Sequence, residues 1–483
     1  MKVKLILPAL TEALSPHFRA IKYSLFPPLG LATLAGYLDD NDEIEIVDEH
    51  VETLSMDDEP DLVAIQAYIT SAGRAYEIAD HYRARGVHVC LGGLHVTAMP
   101  DEAAAHADTI FCGPGEYSWP AFLKDFRQGN PGEIYLSNIR SLTDSPPPRR
   151  DLIKRHLYLT PNTMVVSHGC PHHCEFCYKD SFYSGGKSFY TMNVDQALGR
   201  IDRLPERHVY FLDDHLFGDR PFASELFEGM RGMGKVWQGA GTVESVLRGD
   251  LVEKAARAGL RSLFIGFETL DGANLTDAGK HHNLRGNYSA AIRRLGDLGV
   301  MINASFVFGM DHDGPGVFQR TVDWAIEQGI ETATFHILTP YPGTRLFSRL
   351  SSRGRITTYN WNLYNTRHAV FRPERMSAEQ LESGYSGAYE NFYRWSSILR
   401  AARTKPDLAG RLRHLAYAGG WKKLEPLWNL VIKSGLLHRT TPLLESVLSG
   451  FGRTRTPKHK HVREPAVAGN RLLISNASGA VAD

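Results

Sequence analysis

Ser167-His168-Gly169-Cys170-Pro171-His172-His173-Cys174-Glu175-Phe176-Cys177-Tyr178 is the stretch whose reading decides the rest of this chain. It holds three of the five cysteines in 483 residues, with three residues between the first two and two between the last pair. A short loop of that spacing can wrap its thiolates around one metal centre. On a four-iron cluster, three thiolates leave one iron without a protein ligand and open to a substrate or cofactor. Three other readings stand beside this one. A set of three buried structural cysteines ill suits so polar and His-rich a loop. A structural zinc site wants a fourth ligand, which His168, His172 or His173 could supply, although zinc ligands usually come in close pairs separated by a longer gap. A redox disulfide would use two thiols and leave the third idle. Position favours the cluster, because the loop directly follows a strand that opens a long strand–helix alternation.

Working outward on the carboxyl side, strand candidates are Met164 to Ser167, His208 to Leu212, Trp237 to Gly241, Ser262 to Phe267, Met301 to Phe308 and Thr332 to Leu338. Helical patterns fill the gaps, as in Val194 to Leu204 and Asp250 to Ala258. Six such repeats over residues 161–372 predict a partial parallel (β/α)6 barrel, TIM-like, with its chemistry at the carboxyl ends of the strands. Residues 373–450 turn helical and aromatic, with Tyr385, Tyr389, Phe392, Tyr393 and Trp395. The basic tail from 451 to 483 reads as disordered. The apolar Trp421 to Leu448 segment suits either packing on the barrel or contact with a membrane surface.

On the amino side, residues 1–125 alternate strands with helices. Val3 to Pro8, Glu43 to Val47, Leu62 to Ala67, Val87 to Leu91 and Thr109 to Cys112 read as strands. Pro28 to Leu38 and Gly73 to Arg85 read as helices. Glycines follow the strands at Gly92-Gly93 and Gly113-Pro114-Gly115. The pattern is that of a doubly wound parallel sheet, whose ligands lie beyond the carboxyl ends of the strands. Residues 126–160, broken by Pro131 and Pro146 to Pro148, read as a connector.

Lys plus Arg and Asp plus Glu number 54 each, so the formal charge is zero. That argues against a protein whose main task is holding nucleic acid on a basic face. Five cysteines are too few for a disulfide scaffold. No run of about 18 apolar residues appears, and the first ten residues lack a signal-peptide cleavage pattern. Together these features predict a cytoplasmic protein with no transmembrane segment.

The cysteine loop, with Phe176 just before its last cysteine, resembles that of the radical SAM enzymes. The resemblance implies a 4Fe-4S cluster on Cys170, Cys174 and Cys177. It implies that the open iron binds the amino and carboxylate groups of S-adenosylmethionine, whose reductive cleavage gives a 5′-deoxyadenosyl radical. It places cofactor-binding groups at the barrel strand ends. Asp213 and Asp214 follow the second strand, though the family's usual glycine pair plus glutamate is absent there. Thr242 and Glu244 follow the third, Glu268 the fourth, and Phe308 ends the fifth, where backbone commonly pairs with adenine. A carboxylate is an acceptor for ribose hydroxyls, which independently suits Glu268.

The order of domains is similar to that of one branch, the hopanoid-methylase-like radical SAM proteins with a cobalamin-binding domain ahead of the barrel. Gly92, Gly93, Gly113, Gly115 and Glu116 are the implied cobalamin-binding positions. Asp48-Glu49-His50 begins like a cobalt-ligating loop, yet it follows the second strand and has Thr53 where glycine is expected. His50 is therefore not read as a cobalt ligand. The expected function is cobalamin-dependent methylation of an unactivated carbon in a small-molecule or lipid substrate. An electron donor such as flavodoxin or ferredoxin would supply the reductant. The alternative is a radical SAM oxidoreductase or cyclase without methyl transfer, and beyond that a zinc-stabilised binding protein. No catalytic residue beyond the cofactor ligands is singled out.

Overall fold

The computed structural model describes residues 1–10, 25–143, 145–284, 286–423 and 431. Two six-stranded parallel sheets dominate. The first contains β1 (Lys2–Leu7), β2 (Glu43–Asp48), β3 (Leu62–Gln66), β4 (His88–Gly92), β5 (Thr109–Cys112) and β6 (Ile134–Leu136), in the order β2-β1-β3-β4-β5-β6. Its inner strands β3, β4 and β5 are mostly buried apolar runs, as expected where both faces of a sheet are covered. Val63, Ile65, Val89 and Leu91 pack into one cluster with the helix Ala72–Arg83. Leu62, Ala64, Cys90 and Phe111 pack into the opposite one, with Leu31 and Ala35 of the helix Leu29–Ala35 and Trp119 and Phe122 of the helix Gly115–Arg127. The strand order reverses between β1 and β3, and the crevice of such a sheet opens beyond the strand ends at that point.

The second sheet contains β7 (Thr163–Met164), β10 (His208–Phe211), β11 (Val236–Gly241), β12 (Leu260–Glu268), β13 (Met301–Phe308) and β14 (Thr332–Ile337), in the order β14-β13-β12-β11-β10-β7. The terminal strands β7 and β14 do not pair with each other, so the barrel is partial. Side chains alternate across it. Phe306, Phe308 and Phe335 point outward into the helix layer, against Trp324, Phe318 and Tyr389. Tyr210, Gln238, Phe264, Asn303, Ser305, Thr334 and His336 occupy the alternate positions and line the inside.

The open edge of β14 is closed by side chains. In the helix Ala378–Tyr393, the Tyr393 hydroxyl accepts from Ala333 N at 3.0 Å and donates to Ala333 O at 2.9 Å. Tyr389 does the same with Phe335, at 3.1 and 3.2 Å. The aromatic spacing of this segment thus caps a sheet edge, which otherwise presents unpaired backbone groups.

Three boundaries differ from the sequence reading. The first domain was bounded at 125, but a helix over Gly115–Arg127 crosses that bound, and the connector contributes β6 to the first sheet. The single strand expected over Met164 to Ser167 is two. β7 stops at Met164, and β8 (Ser167–Gly169) pairs antiparallel with β9 (Phe189–Thr191). Asp213 causes the break, because its Oδ1 accepts from Val166 N at 3.1 Å and Ser167 N at 2.5 Å and so takes both donors from the sheet. The predicted tail from 451 and most of the Trp421 to Leu448 segment lie outside the described residues. No helix among the described residues is long and apolar enough to cross a membrane.

Candidate active site

The β8–β9 hairpin aims the cysteine loop. Gly169 has φ 77°, and a Cβ there would lie 2.0 Å from the Ser188 carbonyl oxygen, so only glycine allows the close approach that precedes Cys170. Cys170 N then donates to Ser188 O at 3.0 Å. Asp214 grips both ends of the loop, its Oδ2 accepting from Gly169 N at 3.1 Å and its Oδ1 from the Tyr178 hydroxyl at 2.8 Å. The helix Arg345–Ser352 holds the middle. Arg345 donates to His173 O at 2.5 Å, and Arg349 forms a two-nitrogen ion pair with Glu175 at 2.6 and 3.0 Å.

The three thiols are half-buried and unbridged. Burial pushes Cys170 and Cys177 up to about 11, and raises Cys174 as well. Backbone N–H groups of His172 and Lys179 aim at the sulfurs of Cys170 and Cys177 and partly oppose that rise. Thiolates in such a setting need a cationic centre, and amide hydrogen bonds to sulfur are a feature of iron–sulfur ligation. Among the described residues, no three His, Cys, Asp or Glu side chains close on one ion.

The positions expected around S-adenosylmethionine divide into groups. Glu268 stands at the top of β12, its carboxylate in an ion pair with Lys280 and its backbone at φ 62°. His172 stacks on His282 at 3.7 Å and lies 5.6 Å from His215, so a row of imidazoles adjoins the loop. Burial lowers all three, His215 and His282 to about 3, and keeps them neutral at ordinary pH. Glu244 is half-buried and pairs with Arg248 at 3.3 Å. Phe176 is half-buried beside Met310, Leu338 and Leu346.

Other positions have structural duties. Asp213 and Asp214 serve the cysteine loop, as described, rather than standing free at the strand end. Thr242 caps the helix Val243–Leu247, its Oγ1 accepting from Ser245 N at 3.1 Å. Phe308 was expected to act through its backbone. Its ring is buried in the outer layer and stacks on Phe335 at 5.6 Å, and its carbonyl accepts from Leu338 N at 2.8 Å. The following amides of Gly309 and Met310 donate to Asp313 at 3.0 and 3.1 Å. The strand ends where it was read, and the Phe308 ring, which that expectation did not use, faces the outer layer. The polar inner row of Asn303, Ser305, Thr334 and His336 was missed. Its signal was present in the sequence, as polar residues at every second position of otherwise apolar strands.

A cavity of about 590 Å³ opens beyond the carboxyl ends of the first sheet. Gly92, Gly93, Gly113, Gly115 and Glu116 all line it, together with Gly30, Gln66 and Tyr68. The opposite wall is Met164, Val165 and Leu212 of the barrel, with His168 and Phe182 flanking the cysteine loop. At Gly93, with φ 113°, a Cβ would lie 2.7 Å from the Ala67 carbonyl oxygen. Backbone thus forms that part of the cradle, which suits a large flat ligand resting on the strand ends. His50 does not line it. Its Nδ1 bonds Asp48 at 2.7 Å, and its Nε2 accepts from Leu10 N at 3.2 Å.

The B12 binding domain family matches residues 22–123, and the Radical SAM superfamily matches residues 164–325. The bacteriochlorophyllide d C-12(1)-methyltransferase of Chlorobaculum tepidum is 30% identical over 78% of this chain and 85% of its own. The hopanoid C-2 methylase of Rhodopseudomonas palustris is 26% identical over 69% and 66%. The anaerobic magnesium-protoporphyrin IX monomethyl ester cyclase of Rubrivivax gelatinosus is 25% identical over 79% and 76%. Among solved structures, the cobalamin-dependent S-adenosylmethionine radical enzyme OxsB shares the fold with a TM-score of 0.64 at 13% identity, over 93% of this chain and 78% of that one.

Proposed function

The chain belongs to the radical SAM enzymes that carry a B12-binding domain, and from that premise we propose that it is a cobalamin-dependent C-methyltransferase. The observation that carries this reading is the cavity of about 590 Å³. The glycine-lined ends of the first sheet and the shoulders of the cysteine loop face one space. An enzyme that only abstracts hydrogen needs no such chamber.

Bound at these places, the cluster with S-adenosylmethionine supplies a carbon-centred radical that removes a hydrogen atom, and cobalamin supplies the methyl group. The chain supplies the rest. Cys170, Cys174 and Cys177 hold the cluster. Asp214, Tyr178, Arg345 and Arg349 fix the loop that carries them. Glu268 and the inner polar row orient S-adenosylmethionine. Gly92, Gly93, Gly113, Gly115 and Glu116 seat the corrin. Leu34, Phe111, Trp119 and Leu212 line the chamber with apolar surface and exclude water.

The substrate class we favour is a cyclic tetrapyrrole. The Chlorobaculum and Rubrivivax relatives carry such substrates in their names, whereas the hopanoid methylase keeps a lipid as the second class. An electron donor of the flavodoxin or ferredoxin kind, in the cytoplasm, completes the reading. The cyclase relative supports a second reading, radical chemistry without methyl transfer.

One experiment separates the two. Anaerobically reconstituted protein is given methyl-deuterated S-adenosylmethionine, a reductant and a bacteriochlorophyllide. Methyl transfer predicts a product carrying a trideuteromethyl group. It also predicts 5′-deoxyadenosine and S-adenosylhomocysteine, each in proportion to product. Product with 5′-deoxyadenosine but no S-adenosylhomocysteine rejects methylation and leaves the oxidoreductase or cyclase.

A further inference from the structure

The charged lining of the large cavity is lopsided. It holds two guanidinium groups, Arg150 and Arg200, and a single carboxylate, Glu116. Glu116 is occupied beside the cysteine loop, where it accepts from the Tyr190 hydroxyl at 3.3 Å and faces His168 Nδ1 at 3.5 Å. Neither arginine meets a carboxylate among the described residues. Arg150 donates from Nη2 to the Thr163 carbonyl, while its Nη1 is buried without a hydrogen-bond partner. Arg200 donates to the Ser145 carbonyl and lies 3.4 Å from its hydroxyl. Nearby Arg155 makes the contrast clear, because it is paired with Glu206 at 2.6 Å.

The two unpaired guanidiniums lie within one another's field. Arg150 is pushed down to about 10, first by burial and then by the charges of Arg155 and Arg200. Burial likewise lowers Arg200. Two half-buried like charges on one wall, with one guanidinium nitrogen orphaned, are unfavourable until an anion neutralises them. A guanidinium presents a planar fork that matches phosphate and carboxylate oxygens in a bidentate way. Arg150 comes from the connector and Arg200 from the helix Val194–Asp202, so the pair exists only when connector and barrel are packed together.

We infer that Arg150 and Arg200 form an oxyanion subsite in this cavity, which takes a phosphate or carboxylate group carried by the ligand that fills it. The inference rests on the reading of the cavity as the cobalamin and substrate chamber. Two sources offer the same chemistry: the phosphodiester of cobalamin's nucleotide arm, and an acidic side chain of a tetrapyrrole substrate.

The test uses full-length reconstituted protein with Arg150→Gln, Arg200→Gln and Arg200→Lys. Equilibrium binding is measured for hydroxocobalamin and for cobinamide, which lacks the phosphodiester. It is then measured on cobalamin-loaded protein for protoporphyrin IX and its dimethyl ester. If the phosphodiester is bound, the Gln variants lose at least about tenfold in cobalamin affinity and leave cobinamide unchanged. If a substrate carboxylate is bound, cobalamin affinity is kept. Protoporphyrin IX then binds the Gln variants about as weakly as its ester binds wild type. Arg200→Lys, which keeps charge but loses the fork, should fall between. Wild-type protein that binds corrinoids, with variants unchanged in both arms, overturns the subsite alone. Wild-type protein that takes up neither corrinoid nor porphyrin overturns the reading of the cavity and the subsite with it.

Discussion

Lys280 holds the carboxylate of Glu268 in an ion pair at the carboxyl end of β12, and Glu268 holds its backbone at φ 62° to meet it. A non-glycine residue in the left-handed region costs about 1–2 kcal/mol, and strain of that kind gathers at functional sites. A β-bulge between Gly266 and Glu268 accompanies it and turns this side chain away from the strand's regular alternation. Both carboxylate and ammonium are largely buried, at 11% and 8% side-chain exposure, so the pair is fixed in place before any ligand arrives.

If that carboxylate accepts hydrogen bonds from S-adenosylmethionine, Glu268→Gln should lower affinity by about tenfold to a hundredfold, the loss of one charged hydrogen-bond partner at about 1.5–3 kcal/mol. Glu268→Gly should lower it similarly while relieving the backbone. Anaerobic equilibrium dialysis with labelled S-adenosylmethionine reads both. Unchanged affinity in the two variants would assign the carboxylate to Lys280 alone.

Replacing Cys170, Cys174 and Cys177 together by alanine removes every thiolate from the loop. The loop's anchors, Asp214, Arg345 and Arg349, do not involve the sulfurs. The protein should therefore fold, with a circular dichroism spectrum like that of wild type, and lose iron, sulfide and S-adenosylmethionine cleavage. Full iron content in the triple variant would reject the cluster assignment.

The parts that sequence made legible are those fixed by local pattern. Thr109–Cys112 and Met301–Phe308 coincide with the strands read from their apolar runs, because each run is covered on both faces. The cysteine spacing and the glycine pairs are likewise local. What stayed hidden depends on partners far along the chain. Nothing near Val166 signals that Asp213, 47 residues on, will take its amide and divide the first barrel strand. β6 is three residues long at a sheet edge, with Ile134 and Leu136 exposed, and carries too little pattern to stand out. Arg150 and Arg200 come together only through the packing of the connector on the barrel.

The chamber can be tested without disturbing its backbone cradle. Gly93 is unsuitable, since any side chain there strikes the Ala67 carbonyl. Gly30 lines the same cavity from within the helix Leu29–Ala35, and a Cβ there meets nothing closer than the Gln66 side chain at 3.4 Å. Gly30→Leu should leave stability unchanged or raise it by up to about 1 kcal/mol, since leucine is the better helix former. It should also fill cavity space and weaken hydroxocobalamin binding at least about tenfold. Iron content should stay at the wild-type level. Cobalamin bound as tightly as by wild type would move the corrin elsewhere.

The tyrosine cap on β14 predicts a stability effect remote from the chemistry. Tyr393→Phe removes one hydroxyl that satisfies both Ala333 N and Ala333 O, in a buried position. Leaving such groups unpaired costs about 1–3 kcal/mol. Urea unfolding of the cluster-free protein should show a lower midpoint with an unchanged slope. A midpoint equal to wild type would mean that other groups seal the edge.

Asp213 gives the pH prediction. Burial raises its carboxyl from 3.8 to about 7, against the lowering effect of its bonds from Val166 and Ser167. Its second oxygen, Oδ2, is buried with no partner. The folded chain thus holds this proton more tightly than the unfolded chain. The associated stability is complete below about pH 4 and is lost as pH rises through about 7. Asp213→Asn keeps the accepting oxygen that divides β7 from β8 and carries no charge at any of these pH values. Thermal unfolding of the cluster-free protein should therefore show the variant gaining on wild type as pH rises from about 4 to 8, with the difference levelling above about 7. A difference that stays constant across that range would mean that the Asp213 carboxyl titrates at the same pH in both states, and that its burial is offset by hydrogen bonds from the cysteine hairpin.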